Sequence, residues 1–345
     1  MRIAVDAMGG DFAPAAIVQG GLEAARIADG QCEIVFVGDR QQIEQEVARH
    51  PLLTRGQNLS YSIHHASEKI EMSDSPTAAL KKKKDSSIAV ANRLVKEHLV
   101  DAVVSAGHTG AAMASSLLTL GHIEGVKRPG IGSLVPAENG VTLLIDVGAN
   151  VDARPLHMLQ YGIMGSIFME RVVGIGHPKV ALLSIGEERS KGNEVTREAY
   201  GMLEKSHINF VGNIEGRDLL QGNVDVVVCD GFVGNVILKF AESLGGVFRR
   251  HIKRHVGKKI FLNIGAFLMK PTFARLRQIF DYEEYGGAPL LGVDGVSIIC
   301  HGSSTPKAIR NAVRESMKMV SEGINHTIRR ELEVQNGVRL VEQHA

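Results

Sequence analysis

Three turns rich in glycine and small polar residues each follow an apolar run in this sequence of 345 residues. Ser105-Ala-Gly-His-Thr-Gly110 follows DAVVS, Asp230-Gly-Phe-Val-Gly-Asn235 follows DVVVC, and His301-Gly-Ser-Ser-Thr305 follows VSIIC. Glycines let a ligand approach the backbone, and the unpaired N–H groups of a helix start favour an anion. In a parallel sheet such turns meet at the carboxyl ends of the strands, where ligands bind. The turns therefore predict a phosphate site, although each one alone is equally consistent with a tight structural connection.

Individual positions in these turns are candidates for contact with the anion. Their side chains have little evident use in packing but can hydrogen-bond phosphate oxygens, and their glycines would admit the anion to the backbone. The candidate residues are Ser105, Gly107, His108, Thr109, Gly110, Gly231, Gly234, Asn235 and Ser303.

Two basic groups in turn-like contexts could neutralise phosphate. One is the lysine run from Lys81 to Lys84, and the other is the segment 187–193, which contains Lys191. A lysine run is usually a solvated helix face, but residues 85–87 (Asp-Ser-Ser) should cap the helix that follows. Such a cap would hold Lys83 close to a helix start and make Ser86 a further candidate contact.

Other common catalytic signatures are absent from the sequence. There is no GxxxxGK[ST], GxSxG, HExxH or CxxC motif, which argues against nucleotide hydrolysis, α/β-hydrolase chemistry and zincin chemistry. The three cysteines are far apart in apolar runs and are expected to be buried free thiols, as in a reducing cytoplasm.

Carboxylates at strand ends could bind metal, act as bases or cap turns, and their spacing does not choose among these. They are Asp6, Asp11, Asp146, Asp152 and Asp230.

The elements that would position these residues alternate between short β-branched runs and helical stretches. Several strands are apolar on both faces, which is typical of a parallel sheet covered by helices. We predict strands at 3–7, 33–37, 59–64, 101–105, 132–136, 142–147, 180–185, 209–212, 225–229 and 296–300. We predict helices at 13–28, 40–49, 86–99, 109–121, 156–173, 194–205, 233–255 and 306–333. The expected fold is one doubly wound, mostly parallel α/β sandwich over residues 1–334, with a flexible tail at 335–345.

Composition limits the partners of the protein. With 39 Lys and Arg against 38 Asp and Glu, the net charge of +1 gives no general attraction to nucleic acid. No secretory signal is visible, and no apolar run approaches the roughly 18–20 residues that span a bilayer. Residues 246–280 differ from the rest, because they combine basic residues with phenylalanines and contain no acidic residue. This segment predicts a protruding amphipathic helical hairpin. Its apolar side could pack within its own domain or in a dimer interface, or it could contact an anionic membrane surface through Phe261, Phe267, Leu268 and Phe273.

Eight motifs of this sequence resemble those of the bacterial phosphate acyltransferase (PlsX) family. In chain order they are DAMGGD, KKDSS, SAGHTGA, DVGANVDARP, SIGEERSKGN, FVGNIEGRD, CDGFVGNVILK and YGGAPLLGVDG, and the resemblance runs from residue 1 to about 330. One departure is His108, which stands where the family usually has Asn. A histidine there could make phosphate binding more sensitive to pH.

The resemblance implies transfer of a fatty acyl group from acyl carrier protein to inorganic phosphate, giving an acyl phosphate for phospholipid synthesis. It implies no cofactor and no covalent acyl-enzyme. It also implies a homodimer with a fold related to isocitrate and isopropylmalate dehydrogenases and to phosphate acetyltransferase. The expected location is the cytoplasm, with peripheral association at the inner face of the cell membrane, near a membrane glycerol-3-phosphate acyltransferase. The acidic carrier protein would dock on Arg249, Arg250, Lys253 and Arg254.

Our mechanistic hypothesis from the sequence places phosphate on the turn from Gly107 to Gly110, helped by Thr109, Lys191 and Lys83. Asn235 and the backbone of Gly231–Gly234 would stabilise the oxyanion, and Asp230 would orient Lys239 or a water. Two alternatives remain open. One is a dehydrogenase on the related fold that uses a divalent metal and a nicotinamide nucleotide, and the other is a non-catalytic scaffold at the membrane surface.

Overall fold

The strands of this protein form a single eleven-stranded sheet in the part of the chain that the structure, a computed structural model, describes. The described residues are 1–54, 58–256, 265, 268, 269, 271, 272 and 282–343. The strand order is β3-β2-β1-β4-β11-β10-β5-β6-β9-β7-β8. The strands are β1 Arg2–Asp6, β2 Glu33–Gly38, β3 Ser60–His65, β4 Ala102–Ser105, β5 Gly130–Ala137, β6 Gly140–Ile145, β7 Val180–Leu183, β8 Phe210–Ile214, β9 Val226–Val228, β10 Ala288–Leu291 and β11 Val296–Ile299. All ten predicted strands are present, and β10 is additional.

Both faces of the sheet are covered by helices, so successive residues of a central strand enter different cores. On β2, Ile34 and Phe36 belong to one hydrophobic core, whereas Val35 and Val37 belong to the other. Each fully buried side chain of this size contributes roughly 1.5–3 kcal/mol. The helices are α1 Ala15–Ile27, α2 Arg40–Ala48, α3 Pro51–Thr54, α4 Pro76–Lys82, α5 Ser87–Lys96, α6 Thr109–Leu120, α7 Pro155–Phe168, α8 Glu194–Glu204, α9 Gly231–Val256, α10 Pro306–Ser321 and α11 Ile324–Gln343. The predicted doubly wound, mostly parallel α/β sandwich is confirmed.

The direction of the strands reverses in the middle of the sheet. β10 is antiparallel to both β11 and β5, and β5 is antiparallel to β6. The first strand set (β1, β2, β3, β4 and β11) is parallel within itself, and so is the second strand set (β6, β7, β8 and β9). Three reversals in a row make the two sets run in opposite directions. The three glycine-rich turns therefore do not leave the sheet in one direction, as the sequence led us to expect.

The structure departs from the helical predictions most clearly at residues 306–333 and at the lysine run. The single helix expected at 306–333 is two helices, because the chain turns at Gly323, whose φ is 57°. α11 then continues to Gln343, ten residues beyond the predicted end. Gln335 explains part of this extension, since it is buried and its Oε1 lies 3.0 Å from Nδ1 of His207. The lysine run also begins inside a helix that we did not predict, α4.

The basic segment is described in part. α9 covers its first part through Val256, and Leu268 is 73% exposed. The other predicted membrane contacts, Phe261, Phe267 and Phe273, lie outside the described residues. None of the described helices combines the length and the apolar character needed to cross a bilayer.

Candidate functional site

The turn after β4 is organised by a buried carboxylate from β1. Oγ of Ser105 donates a hydrogen bond of 2.6 Å to Oδ2 of Asp6 and accepts one of 3.1 Å from the N–H of Gly107. Burial raises the pKa of Asp6, and the hydrogen bond from Ser105 opposes that shift. Because its proton is committed to Asp6, Ser105 shapes the turn instead of donating to a ligand. The cavity beside it measures about 10 Å³, which holds at most a single water.

His108 is the N-cap residue of α6. Its Nδ1 accepts a hydrogen bond of 3.1 Å from the N–H of Gly110, as an Asn Oδ1 would at the same position. Gly107 and Gly110 therefore already have acceptors inside the turn. The next residue, Thr109, is exposed, and its hydroxyl remains available to a ligand.

The turn after β11 lies against the loop after β1. The N–H of Asp11 donates to the carbonyl oxygen of Gly302 at 2.7 Å, and Oγ of Ser303 lies 2.8 Å from Nδ1 of His301. The structure thus brings the turns after β4 and β11 to the same end of the first strand set, together with Asp6 and Asp11.

The lysine run is engaged in the structure. Nζ of Lys83 forms an ion pair of 2.6 Å with Asp74 and donates to the carbonyl oxygen of Lys69 at 3.1 Å. The hydrogen bond from Lys83 also lowers the pKa of Asp74. The predicted cap differs, because Asp85 accepts from the N–H and hydroxyl of Ser67 instead of capping α5. Ser86 is the N-cap residue, but its hydroxyl is buried and makes no hydrogen bond with a described residue.

In the second strand set, Asp146 at the end of β6 organises the following loop. Its carboxylate accepts hydrogen bonds of 2.7–3.1 Å from four backbone N–H groups, those of Ile131, Gly148, Ala149 and Asn150. Nδ2 of Asn150 donates in turn to the hydroxyl of Tyr161 at 2.8 Å. Burial raises the pKa of Asp146, and the four backbone hydrogen bonds oppose that shift. Because these bonds tie the loop to the end of β6, Asp146 serves the structure of the loop.

Asp230 has a similar structural role at the start of α9. Its Oδ1 accepts from the N–H groups of Phe232 and Val233 at 2.9 and 2.8 Å, and its carbonyl oxygen accepts from Gly234. The N–H of Gly231 donates to the carbonyl oxygen of Asn150 at 2.9 Å. The backbone of Gly231–Gly234 therefore has no free donor for an oxyanion, contrary to our hypothesis.

The other role suggested for Asp230 also differs from the structure. Nζ of Lys239 forms an ion pair of 2.8 Å with Glu242, not with Asp230. The side chain at this turn that remains available is Asn235, which is exposed.

Lys191 lies in the loop that follows β7. Its side chain is exposed and forms no ion pair with a described residue. β7 is the neighbour of β9 in the sheet, so the Lys191 loop and the Asn235 turn leave adjacent strands in the same direction. Lys191 and Asn235 are thus the predicted catalytic residues whose functional groups are available at neighbouring strand ends.

The structure separates the candidate residues into two groups. Among the described residues, no hydrogen bond or ion pair joins the turns of the first strand set to Lys191, Asp230 or Asn235. Within the described ranges, no three His, Cys, Asp or Glu side chains lie close enough together to hold a metal ion. All three cysteines are buried and free, as predicted.

The basic residues predicted to bind a carrier protein lie on α9. Arg250 and Arg254 are exposed and one helical turn apart, which places them on the same side of the helix. Arg249 and Lys253 belong to the same helix.

Solved structures of low sequence identity share this fold. A phosphotransacetylase from Streptococcus pyogenes matches with a TM-score of 0.63 at 17% identity, over 93% of this chain and 94% of its own. A 4-hydroxythreonine-4-phosphate dehydrogenase from Klebsiella pneumoniae matches with a TM-score of 0.54 at 14% identity, over 92% of this chain and 98% of its own. These similarities establish the architecture and nothing further.

Sequence relatives are much closer. A family model described as fatty acid synthesis protein matches residues 1–327. A phosphate acyltransferase of Pelotomaculum thermopropionicum is 50% identical over 333 residues, covering 96% of this chain and 95% of that protein. One from Heliobacterium modesticaldum is 51% identical over 325 residues, covering 93% and 95%. The chain therefore belongs to the phosphate acyltransferase (PlsX) family of fatty acid synthesis proteins and is an enzyme of that family.

Proposed function

We propose that this enzyme transfers a fatty acyl group from acyl carrier protein to inorganic phosphate and releases an acyl phosphate for phospholipid synthesis. The observation that carries the proposal is the pair Lys191 and Asn235, whose functional groups are available at the ends of neighbouring strands. Family membership supports an acyl transfer with phosphate as the acceptor. No cofactor is part of the proposal.

In the proposed reaction, an oxygen of hydrogen phosphate attacks the thioester carbonyl carbon. The carbonyl oxygen becomes an oxyanion, which the ammonium of Lys191 and the amide of Asn235 stabilise. The C–S bond then breaks, the C–O bond to phosphate remains, and the phosphate proton passes to the departing thiolate. Since phosphate is already an anion at neutral pH, the enzyme gains mainly by positioning it and stabilising charge.

The turn from Gly107 to Gly110 remains a separate candidate for binding phosphate, because it leaves the sheet in the opposite direction from the Lys191 loop. Thr109 supplies an exposed hydroxyl there, and the start of α6 supplies a favourable dipole. Lys83 contributes less than we expected from the sequence, because Asp74 already neutralises it.

The test is the rate of acyl-phosphate formation from acyl carrier protein and phosphate by Lys191→Ala. Loss of one oxyanion-stabilising group typically lowers kcat by about a hundredfold or more. Lys205→Ala is the matched control, because Lys205 is an exposed lysine at the opposite end of α8. A Lys191→Ala enzyme with the kinetics of the parent would remove Lys191 from the site.

The carrier protein is proposed to dock on α9 through Arg249, Arg250, Lys253 and Arg254. Replacing both Arg250 and Arg254 with Glu should raise the KM for the acidic carrier-bound donor and leave the KM for phosphate unchanged. Arg314→Glu, at an exposed position of α10, is the control. Equal effects of the two replacements would show a general effect of charge instead of docking.

A homodimer at the inner membrane surface completes the proposal. α9 exposes Phe232, Val236 and Phe240 at helical spacing, which supports a contact with a second copy.

Association with anionic lipid through the region of Phe267 and Leu268 would bring acyl phosphate near a membrane glycerol-3-phosphate acyltransferase. Replacing both residues with Glu should abolish flotation with anionic liposomes while activity on the carrier protein persists. Undiminished flotation would refute the membrane contact, and a dissociated dimer would assign these residues to the interface.

A further inference from the structure

Asn213 on β8 is joined through a single carbonyl group to the backbone of Lys191. Nδ2 of Asn213 donates a hydrogen bond of 3.0 Å to the carbonyl oxygen of Glu188. The same oxygen accepts the backbone N–H of Lys191 at 2.9 Å. A residue 22 positions away in sequence thus holds the short turn on which Lys191 is carried.

The surroundings of Asn213 indicate that its amide is present for this hydrogen bond. The residue is 7% exposed, and its Oδ1 makes no hydrogen bond with a described residue. A buried polar atom without a partner costs about 1–3 kcal/mol, so an apolar side chain would be the cheaper way to fill this position. What an apolar side chain lacks is the donor to Glu188.

A second buried polar atom lies below the same loop. Asn213 pairs with Leu182 of β7, and Ser184 is two residues beyond Leu182, so the side chains of Asn213 and Ser184 point to the same face of the sheet. Oγ of Ser184 is also buried without a described partner, and a Cβ built on Gly192 would lie 2.9 Å from it. The loop therefore packs closely against two buried polar side chains, those of Ser184 and Asn213.

The Lys191 loop is held at other points too, which leaves the ammonium group as its available part. A Cβ built on Gly186 would lie 2.8 Å from Cγ of Lys191, so the lysine stem packs over that glycine. Arg189 forms an ion pair of 2.9 Å with Glu204 and lies over the ring of Tyr200. These contacts hold the side chains of Lys191 and Arg189, and Asn213 holds the backbone carbonyl of Glu188.

We propose that Asn213 is a positioning residue for catalysis, which acts by holding the Glu188 carbonyl and through it the backbone of Lys191. The inference rests on the proposed role of Lys191. Asn213 itself touches neither phosphate nor the acyl group. Its loss should reduce the fraction of Lys191 that is correctly placed, which lowers kcat and leaves the KM for acyl carrier protein unchanged.

The experiment compares Asn213→Leu, Lys191→Ala and the double variant in the acyl-phosphate assay. Asn213→Leu is nearly isosteric and removes the donor, so we expect a loss in kcat of about ten- to a hundredfold. Because Asn213 acts through Lys191, the double variant should be within about twofold of Lys191→Ala alone. Asn325→Leu is the matched control, since Asn325 makes the same kind of bond, 3.1 Å to the carbonyl oxygen of Val293, far along the chain from Lys191.

Three outcomes would overturn the inference, and they differ in what they say about the proposed function. If Lys191→Ala is as active as the parent, the proposed site itself fails and the positioning role fails with it. If Lys191→Ala is inactive while Asn213→Leu is fully active, only the positioning role fails. If the two losses multiply in the double variant, Asn213 acts independently of Lys191. If thermal unfolding shows that the Asn213→Leu variant does not fold, Asn213→Ala removes the same donor without adding bulk.

Discussion

Glu315 on α10 is partly buried, but its carboxyl group is buried completely, at a cost in stability to the folded protein. Neither of its carboxyl oxygens has a hydrogen-bond partner among the described residues. Burial raises its pKa from 4.5 to about 8, and the nearby N–H of Gly287 opposes this shift. Glutamine cannot ionise, so we predict that the Glu315→Gln variant becomes increasingly more stable than the parent protein as the pH rises.

The magnitude and sign follow from the two pKa values. Below pH 4.5 the carboxyl is protonated in both the folded and the unfolded chain, and the pKa shift has no effect. From there to about pH 8 the unfolded chain releases the proton while the folded chain keeps it. The free energy of unfolding of the parent protein therefore falls by about 1.4 kcal/mol per pH unit relative to the variant, reaching on the order of 3 kcal/mol at neutral pH.

The assay is denaturant unfolding of both proteins at a series of pH values from 4.5 to above 8, the range set by the two pKa values. We expect the stability difference between Glu315→Gln and the parent to grow with pH and then become constant. Glu322→Gln, at the exposed end of the same helix, is the control and should follow the parent profile. A constant difference between Glu315→Gln and the parent at every pH would refute the reasoning, because it would show that Glu315 ionises normally in the folded protein.

Two further predictions concern the starts of α9 and α6. Gly234→Ala should lower the melting temperature strongly, because a Cβ there would overlap the carbonyl oxygen of Asp146. Gly201→Ala is the comparison, because Gly201 has open space around it and the change should stabilise α8 by about 0.5–1 kcal/mol. A Gly234→Ala protein that melts with the parent would contradict the packing. His108→Ala should cost about 1 kcal/mol through loss of the cap on Gly110, and His108→Asn should retain it. Denaturant unfolding distinguishes the two His108 variants, and equal losses would show that the cap contributes nothing.

Much of the fold could be predicted because the strands are short apolar runs bounded by turns. Val226–Val228 is buried on both faces and could be read as an interior strand without knowing its neighbours. β10 could not be predicted in the same way. It has four residues and contains Pro289, which lacks the N–H that a strand normally donates. This one missed strand also hid the reversal of strand direction, because β10 is antiparallel to both of its neighbours.

The candidate site was predictable in its residues but not in their hydrogen bonds. Lys191 and Asn235 were found as polar residues in turns after strands, and both are exposed there. Asn213 was missed because its partner is a backbone carbonyl 25 residues away in sequence. A polar residue in a strand gives no sign of such a partner until the strands are paired.

Glycine-rich turns in this protein have a packing explanation that competes with ligand binding. A Cβ at Gly231 would lie 2.8 Å from the carbonyl oxygen of Asn150 and 2.9 Å from Oδ2 of Asp146. The glycines of this turn are thus required by the buried loop around Asp146, whether or not an anion binds, and the turn uses its own Asp230 to satisfy the first N–H groups of α9. Glycine content and helix starts alone therefore do not identify the anion site. The better indicator is a charged or amide side chain that the folded chain leaves available, and at the ends of β7 and β9 that indicator points to Lys191 and Asn235.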